Sequence, residues 1–255
     1  MSLVALSDVH IKRQSDERSK LFKAFLEHEK TSHAEKIILL GDIFDLMVGD
    51  HKEYLELHQE IFDRIVELCE KGKKVYYFEG NHDFHLNKLF QRFKKERSLG
   101  DSFEVFCQDI VIDYQGAKFY LCHGDNIEIE NPGYRLYKSL INNRPMNLVA
   151  NHLMPYPLLQ SIGEFASEKS RKRNQARYAP GDEEKTSAVR EKFRTAANIV
   201  CKQHKNLDFI LAGHSHVQDN YESSTGTIYI NNGFTPMTKT FIHITNTETE
   251  FVSLN

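Results

Sequence analysis

Short strand-like runs in this chain recurrently end on Asp, Asn or His, most of them beside a glycine. Leu3 to Leu6 leads to Asp8 and His10, Lys36 to Leu40 to Gly41, Asp42 and Asp45, and Lys74 to Phe78 to Gly80, Asn81, His82 and Asp83. Further on, Lys118 to Leu121 leads to His123 and Gly124, and Phe209 to Ala212 to Gly213, His214 and His216. Apolar runs of this length bounded by turn formers read as buried strands. In an α/β sheet the carboxyl ends of the strands open onto one crevice. Five such ends carrying polar groups restrict the chain to folds in which residues far apart in sequence meet at one place.

The spacing between the first runs is helical. Leu21, Phe22, Phe25 and Leu26 repeat at helical intervals, as do Leu57, Ile61, Ile65 and Leu68, with Gly72 placed to end the second helix. The first third therefore reads β-α-β-α-β. Further strands are expected over Asp109 to Ile112 and Thr227 to Ile230, and beyond residue 205 helices give out in favour of short strands with Gly and Asn turns. The fold class is α/β with a late antiparallel part. Residues 131–180 hold five of the six prolines, Pro132, Pro145, Pro155, Pro157 and Pro180, and read as an inserted cap. The expected division is a core of 1–130 and 181–255 and a cap of 131–180.

With 255 residues, 40% of them hydrophobic, the chain can bury a substantial core. Its 33 basic and 36 acidic side chains leave a formal charge of -3, which gives no global reason to expect nucleic acid as a partner. Cys69, Cys107, Cys122 and Cys201 lack CxxC spacing and read as free thiols of a reducing cytosol. The apolar run at the N-terminus is too short for a signal-peptide core, and no stretch approaches the roughly 18 apolar residues that span a bilayer. A soluble or surface-bound protein is expected, with no obligate protein partner.

Asp8, His10, Asp42, Asn81, His123, His214 and His216 combine carboxylate, imidazole and amide oxygen, a set that suits Mn, Fe or Zn, and the absence of thiolate argues against a structural zinc site. A single Gly-Asp or Asp-x-His is as readily a turn. Five together are not, because several carboxylates and imidazoles buried at one crevice without a cation would cost several kcal/mol.

DVH at 8–10, GDIFD at 41–45, GNHD at 80–83, HGD at 123–125 and GHSH at 213–216 together resemble the calcineurin-like metallophosphoesterases. The resemblance implies a four-layer αββα sandwich with an inserted helical cap, and two divalent cations, manganese foremost. One would take Asp8, His10, Asp42 and His216; the other would take Asp42, Asn81, His123 and His214, with Asp42 bridging. Such a pair activates water for in-line attack at phosphorus. His82 would then meet the phosphoryl group, with Asp83 or Asp45 orienting its ring; the alternative is a purely structural histidine.

Within that superfamily, GDIFDLMVGD at 41–50 and NPGY at 131–134, which sets Tyr134 eleven residues after His123, resemble the UDP-2,3-diacylglucosamine pyrophosphatases of lipid A synthesis. Ser170, Asn174 and Arg177 match the spacing of residues that contact the phosphosugar in that family. Intervals of four and three place them on one helix face, although a solvated face has the same look. Asn81, His82 and His214 would share in substrate binding. The cap mixes apolar residues with eight basic ones between Arg135 and Arg177, against Glu164 and Glu168. That composition suits acyl chains and an anionic membrane face, and hence a cytoplasmic protein peripheral to the inner side of the membrane. At His82 the chain departs from the best-studied of these pyrophosphatases, which carry Arg, and agrees with the wider superfamily. Two other readings stay open: hydrolysis of another nucleotide or phosphodiester, and a binding scaffold without metal.

Overall fold

Alternation along the strands decides the layering. In this computed structural model the described residues are 2–127, 182–246 and 248–254, with 145, 149, 155–159 and 161. The first half runs β1 (Ser2–Leu6), α1 (Glu17–Glu27), α2 (Glu29–His33), β2 (Lys36–Leu39), β3 (Met47–Val48), α3 (Glu53–Leu57), α4 (Gln59–Glu70), β4 (Lys74–Phe78), β5 (Asp83–Phe84), α5 (Asn87–Glu96) and β6 (Phe103–Phe106). Next come the hairpin β7 (Ile110–Tyr114) and β8 (Ala117–Leu121), the long α6 (Glu183–Gln203), β9 (Phe209–Ala212), β10 (Gln218–Glu222), β11 (Ile228–Asn232), the one-turn α7 (Thr235–Thr238), β12 (Thr240–Thr245) and β13 (Thr249–Ser253).

The strands form a six-stranded sheet in the order β13-β12-β1-β2-β4-β6 and a five-stranded sheet in the order β10-β11-β9-β8-β7. β1, β2, β4 and β6 are mutually parallel, as are β8, β9 and β11. Successive side chains leave a strand on opposite faces. Leu3 and Ala5 of β1, Ile38 of β2, and Tyr76 and Phe78 of β4 thus meet Phe119 and Leu121 of β8 and Leu211 of β9 between the sheets. Val4 and Leu6, Ile37 and Leu39, and Val75 and Tyr77 face the other way, onto Phe22, Phe25, Ile61, Ile65 and Phe90 of the helices. On the far side, Tyr120, Ile210 and Tyr229 pack on Phe193, Ala197 and Val200 of α6. The result is the four-layer αββα sandwich, and each fully buried Leu, Ile or Phe adds about 1.5–3 kcal/mol to it.

The helical pattern around Leu57 breaks where one continuous helix was expected. Leu57 closes α3, and α4 starts after His58, a buried side chain whose ring lies tilted against Phe44 with centroids 4.5 Å apart. Gly72 does end α4, with φ +82°. Asp109 lies outside its expected strand: its carboxylate accepts from the Tyr120 hydroxyl and from Asn126. α7 interrupts the late strands, its first turn favoured by Pro236 at a position that needs no donor. The cap residues Tyr134, Ser170, Asn174 and Arg177, and the cap boundaries, lie outside the described residues.

Candidate metal centre

Two polar loops from each sheet, and a third from the first, converge at the carboxyl ends of β1, β2, β4, β8 and β9. Asp42 Oδ2 lies 3.7 Å from His10 Nε2 and 3.6 Å from His123 Nε2. On one side of it, His216 Nε2 is 3.3 Å from Asp8 Oδ1. On the other, Asn81 Oδ1 is 2.9 Å from both His123 Nε2 and His214 Nδ1. Ligand atoms about 2.0–2.2 Å from a common cation stand about 3–4 Å from one another, which is the separation seen. Asp8, His10 and His216 form one such cluster, and Asp8, Asp42 and His123 another.

Backbone geometry marks the same residues. Asp8, His10, Asp42, His214 and His216 all have φ between 53° and 65°, left-handed conformations that cost roughly 1–2 kcal/mol each for a residue with a β-carbon. Glycines allow the loops to touch. A β-carbon at Gly80 would lie 2.2 Å from Asp42 Oδ1, and one at Gly213 2.6 Å from Asp8 Oδ2.

The donor set fits divalent cations on three observations. Buried His10 Nε2 has no hydrogen-bond partner among the described residues, although a buried polar atom normally has one. His123 Nδ1 donates to the Leu40 carbonyl at 2.7 Å, so the lone pair of the neutral ring is on Nε2, aimed at Asp42 and Asn81. Burial would depress that imidazole, but Asp42, Asp125 and Asp8 hold it up at about 9, the mark of a negative field that a cation would satisfy. His10, by contrast, is held well below its ordinary value by burial and by His82, His216 and Arg18; it is neutral and free to ligate. Asp8 stays ionised despite burial because His216, His123 and the Ser7 hydroxyl stabilise its charge.

His82 is half-buried at the rim, edge-on to His10 at 4.7 Å. Its Nδ1 lies 3.0 Å from the Asp45 main-chain carbonyl, and the Asp45 carboxylate is 3.2 Å from Lys12 Nζ. Of the two residues expected to orient this ring, Asp45 reaches it and Asp83 makes its bonds elsewhere. Fully buried, Asp83 accepts from Asp42 N at 2.9 Å, Ile43 N at 2.8 Å, Gly80 N at 2.7 Å and the Tyr77 hydroxyl at 2.5 Å. It ties the β2 and β4 loops together from beneath, and burial with Asp42 close by raises its carboxyl to about 7. Tyr77, Phe234 and Arg18 were not found from sequence. Tyr77 carries the only hint, an amphipathic side chain in an apolar run directly upstream of GNHD.

The family model described as calcineurin-like phosphoesterase matches residues 1–218. Among curated proteins the chain is similar to the UDP-2,3-diacylglucosamine hydrolase of Aliivibrio fischeri, 27% identical over 221 residues that cover 87% of this chain and 84% of that one. A protein of the same name from Serratia proteamaculans is 24% identical over 85% of this chain and 82% of its own length. One from Neisseria meningitidis serogroup B is 30% identical over 54% of this chain and 55% of its own.

Proposed function

Because the chain belongs to the calcineurin-like phosphoesterases, and is therefore a metal-dependent hydrolase of phosphate esters or anhydrides, we propose that it cleaves the pyrophosphate of UDP-2,3-diacylglucosamine to UMP and 2,3-diacylglucosamine 1-phosphate. The observation that carries a dinuclear centre is the single oxygen, Asp42 Oδ2, placed between His10 and His123. Asp8, His10, Asp42 and His216 would hold one cation, and Asp42, Asn81, His123 and His214 the other; manganese suits the mixed oxygen and nitrogen donors. When bound, the two cations lower the pKa of the attacking water and neutralise charge on the phosphoryl oxygens.

The chain's own groups supply orientation. The Asp45 carbonyl can only accept, so it fixes the proton of His82 on Nδ1. In the imidazolium form, Nε2–H of His82 then donates to a phosphoryl or leaving oxygen. Asp83 and Tyr77 keep Asp42 and Gly80 at the separation the centre needs.

The substrate rests on the name shared by the curated relatives and on the cap motifs. Its anionic, acylated nature also supports a cytoplasmic location against an anionic membrane, reached through the basic and apolar cap; no described helix is long and apolar enough to cross one. Product analysis tests the assignment. Incubation with UDP-2,3-diacylglucosamine in H2(18)O is expected to yield UMP carrying the label. Turnover of UDP-glucose or bis(p-nitrophenyl) phosphate, with the acylated substrate untouched, would instead favour the broader reading that His82 leaves open, a phosphodiesterase of soluble substrates.

A further inference from the structure

Arg18 and Phe234 belong to none of the motifs, yet Arg18 reaches His10, and Phe234 reaches both His10 and His216. Arg18 Nη1 donates to the His10 carbonyl at 2.9 Å, and the Phe234 main-chain N–H donates to the His216 carbonyl at 3.3 Å. His10 and His216 have φ of 56° and 59°, so each bond pins a peptide in a conformation that a β-carbon disfavours. The Phe234 ring stacks on His216, with centroids 5.0 Å apart and planes 24° apart, and lies 5.9 Å from the His10 ring. Above it, the Arg18 guanidinium sits 5.4 Å from the Phe234 centroid, within cation–π range. His10 and His216 cluster with Asp8 on one side of Asp42. On the other side His123 is held by a different means, its Nδ1 donating to the Leu40 carbonyl.

We propose that Arg18 and Phe234 are positioning residues for one of the two cations only, the one between Asp8, His10 and His216. The stack sets the planes of both rings and holds their strained peptides, joining the loop after β1 to the loop after β11. This rests on the ligand assignment proposed above. A metal position buttressed by a half-buried stack at the rim is then separable from one whose His123 is aimed by a buried hydrogen bond.

Manganese titration calorimetry on the metal-stripped full chain tests this without any turnover, after circular dichroism and thermal melts have shown that the variants fold. The unsubstituted protein is expected to bind two ions. Phe234→Leu and, independently, Arg18→Met are expected to weaken one site roughly 10–100-fold, the range typical when a residue supporting a ligand is lost, and to leave the other unchanged. Phe234→Tyr, which keeps the stack, is expected to restore both. Equal weakening of both sites, no weakening at all, or Phe234→Tyr behaving as Phe234→Leu would overturn the inference. His10→Ala separates the two levels: it must remove the same site. If it leaves the isotherm unchanged, or the unsubstituted chain binds fewer than two ions, the ligand assignment fails and the inference falls with it.

Discussion

The two sheets bring different chemistry to the centre. Loops after β1, β2 and β4 of the six-stranded sheet supply the oxygens of Asp8, Asp42 and Asn81, together with His10; loops after β8 and β9 of the five-stranded sheet supply only imidazoles, His123, His214 and His216. The oxygen side brings buried charge, and each carboxylate is compensated by hydrogen bonds. Asp42 Oδ1 accepts from His82 N, and Asp8 accepts from Ser7 Oγ and His214 N. The nitrogen side needs direction more than compensation, and obtains it from the Leu40 carbonyl and the Phe234 ring. Carboxylate charge thus comes from one sheet and most of the imidazoles from the other.

The largest break in that division comes from the residue shared by both positions. Asp42→Ala is expected to lose both cations and at least about 1,000-fold in kcat, since a single electrostatic contact to the transition state is worth 10²–10³. His214→Ala, on the nitrogen side, is expected to lose one cation and about 100-fold. Metal analysis and steady-state kinetics on the two variants check the contrast, and equal losses would dissolve it.

His82 separates binding from chemistry. His82→Gln is expected to keep both cations and lose about 100-fold in kcat, within the range of a positioned acid or base. Retention of nearly full kcat with metal content intact would return His82 to a structural role.

The smallest effect lies behind the oxygen-bearing loops, at His58 against Phe44. Burial holds this imidazole at about 4, below its ordinary 6.5. The unfolded chain therefore binds the proton more readily, and the stability present above pH 6.5 is lost as pH falls toward 4. Urea unfolding of the metal-free protein at pH 7 and 5 is expected to show roughly 2 kcal/mol less stability at pH 5 from this group. His58→Leu should flatten that part of the slope; an unaltered slope would remove His58 as its cause.

The same contrast governs what could be read in the sequence. Each of the seven residues proposed as donors sits within four residues of a strand end, so local pattern and turn chemistry single them out, and the β-α-β-α-β frame followed from the alternation of Leu3–Leu6, Lys36–Leu40 and Lys74–Phe78 with helical intervals. The supports were hidden because their meaning is tertiary. Asp83 looked like a partner of its neighbour His82, yet its acceptors serve Asp42 and Gly80, which only the packing of the β2 and β4 loops reveals. Phe234 and Arg18 lie more than 200 residues apart, in a β11–α7 turn and on α1. No spacing relates them. The α3–α4 break at His58 was missed for a related reason: Leu57 keeps the helical interval while the backbone does not.

The most direct test is anomalous diffraction from crystals of the full chain grown with manganese. Two peaks about 3.5–4 Å apart are expected on either side of Asp42 Oδ2, one reached by His10 and His216 and the other by His123 and His214. A single peak, or one displaced to the His10, Asp45 and His82 cluster that also gathers at the rim, would contradict a centre built by both sheets around Asp42.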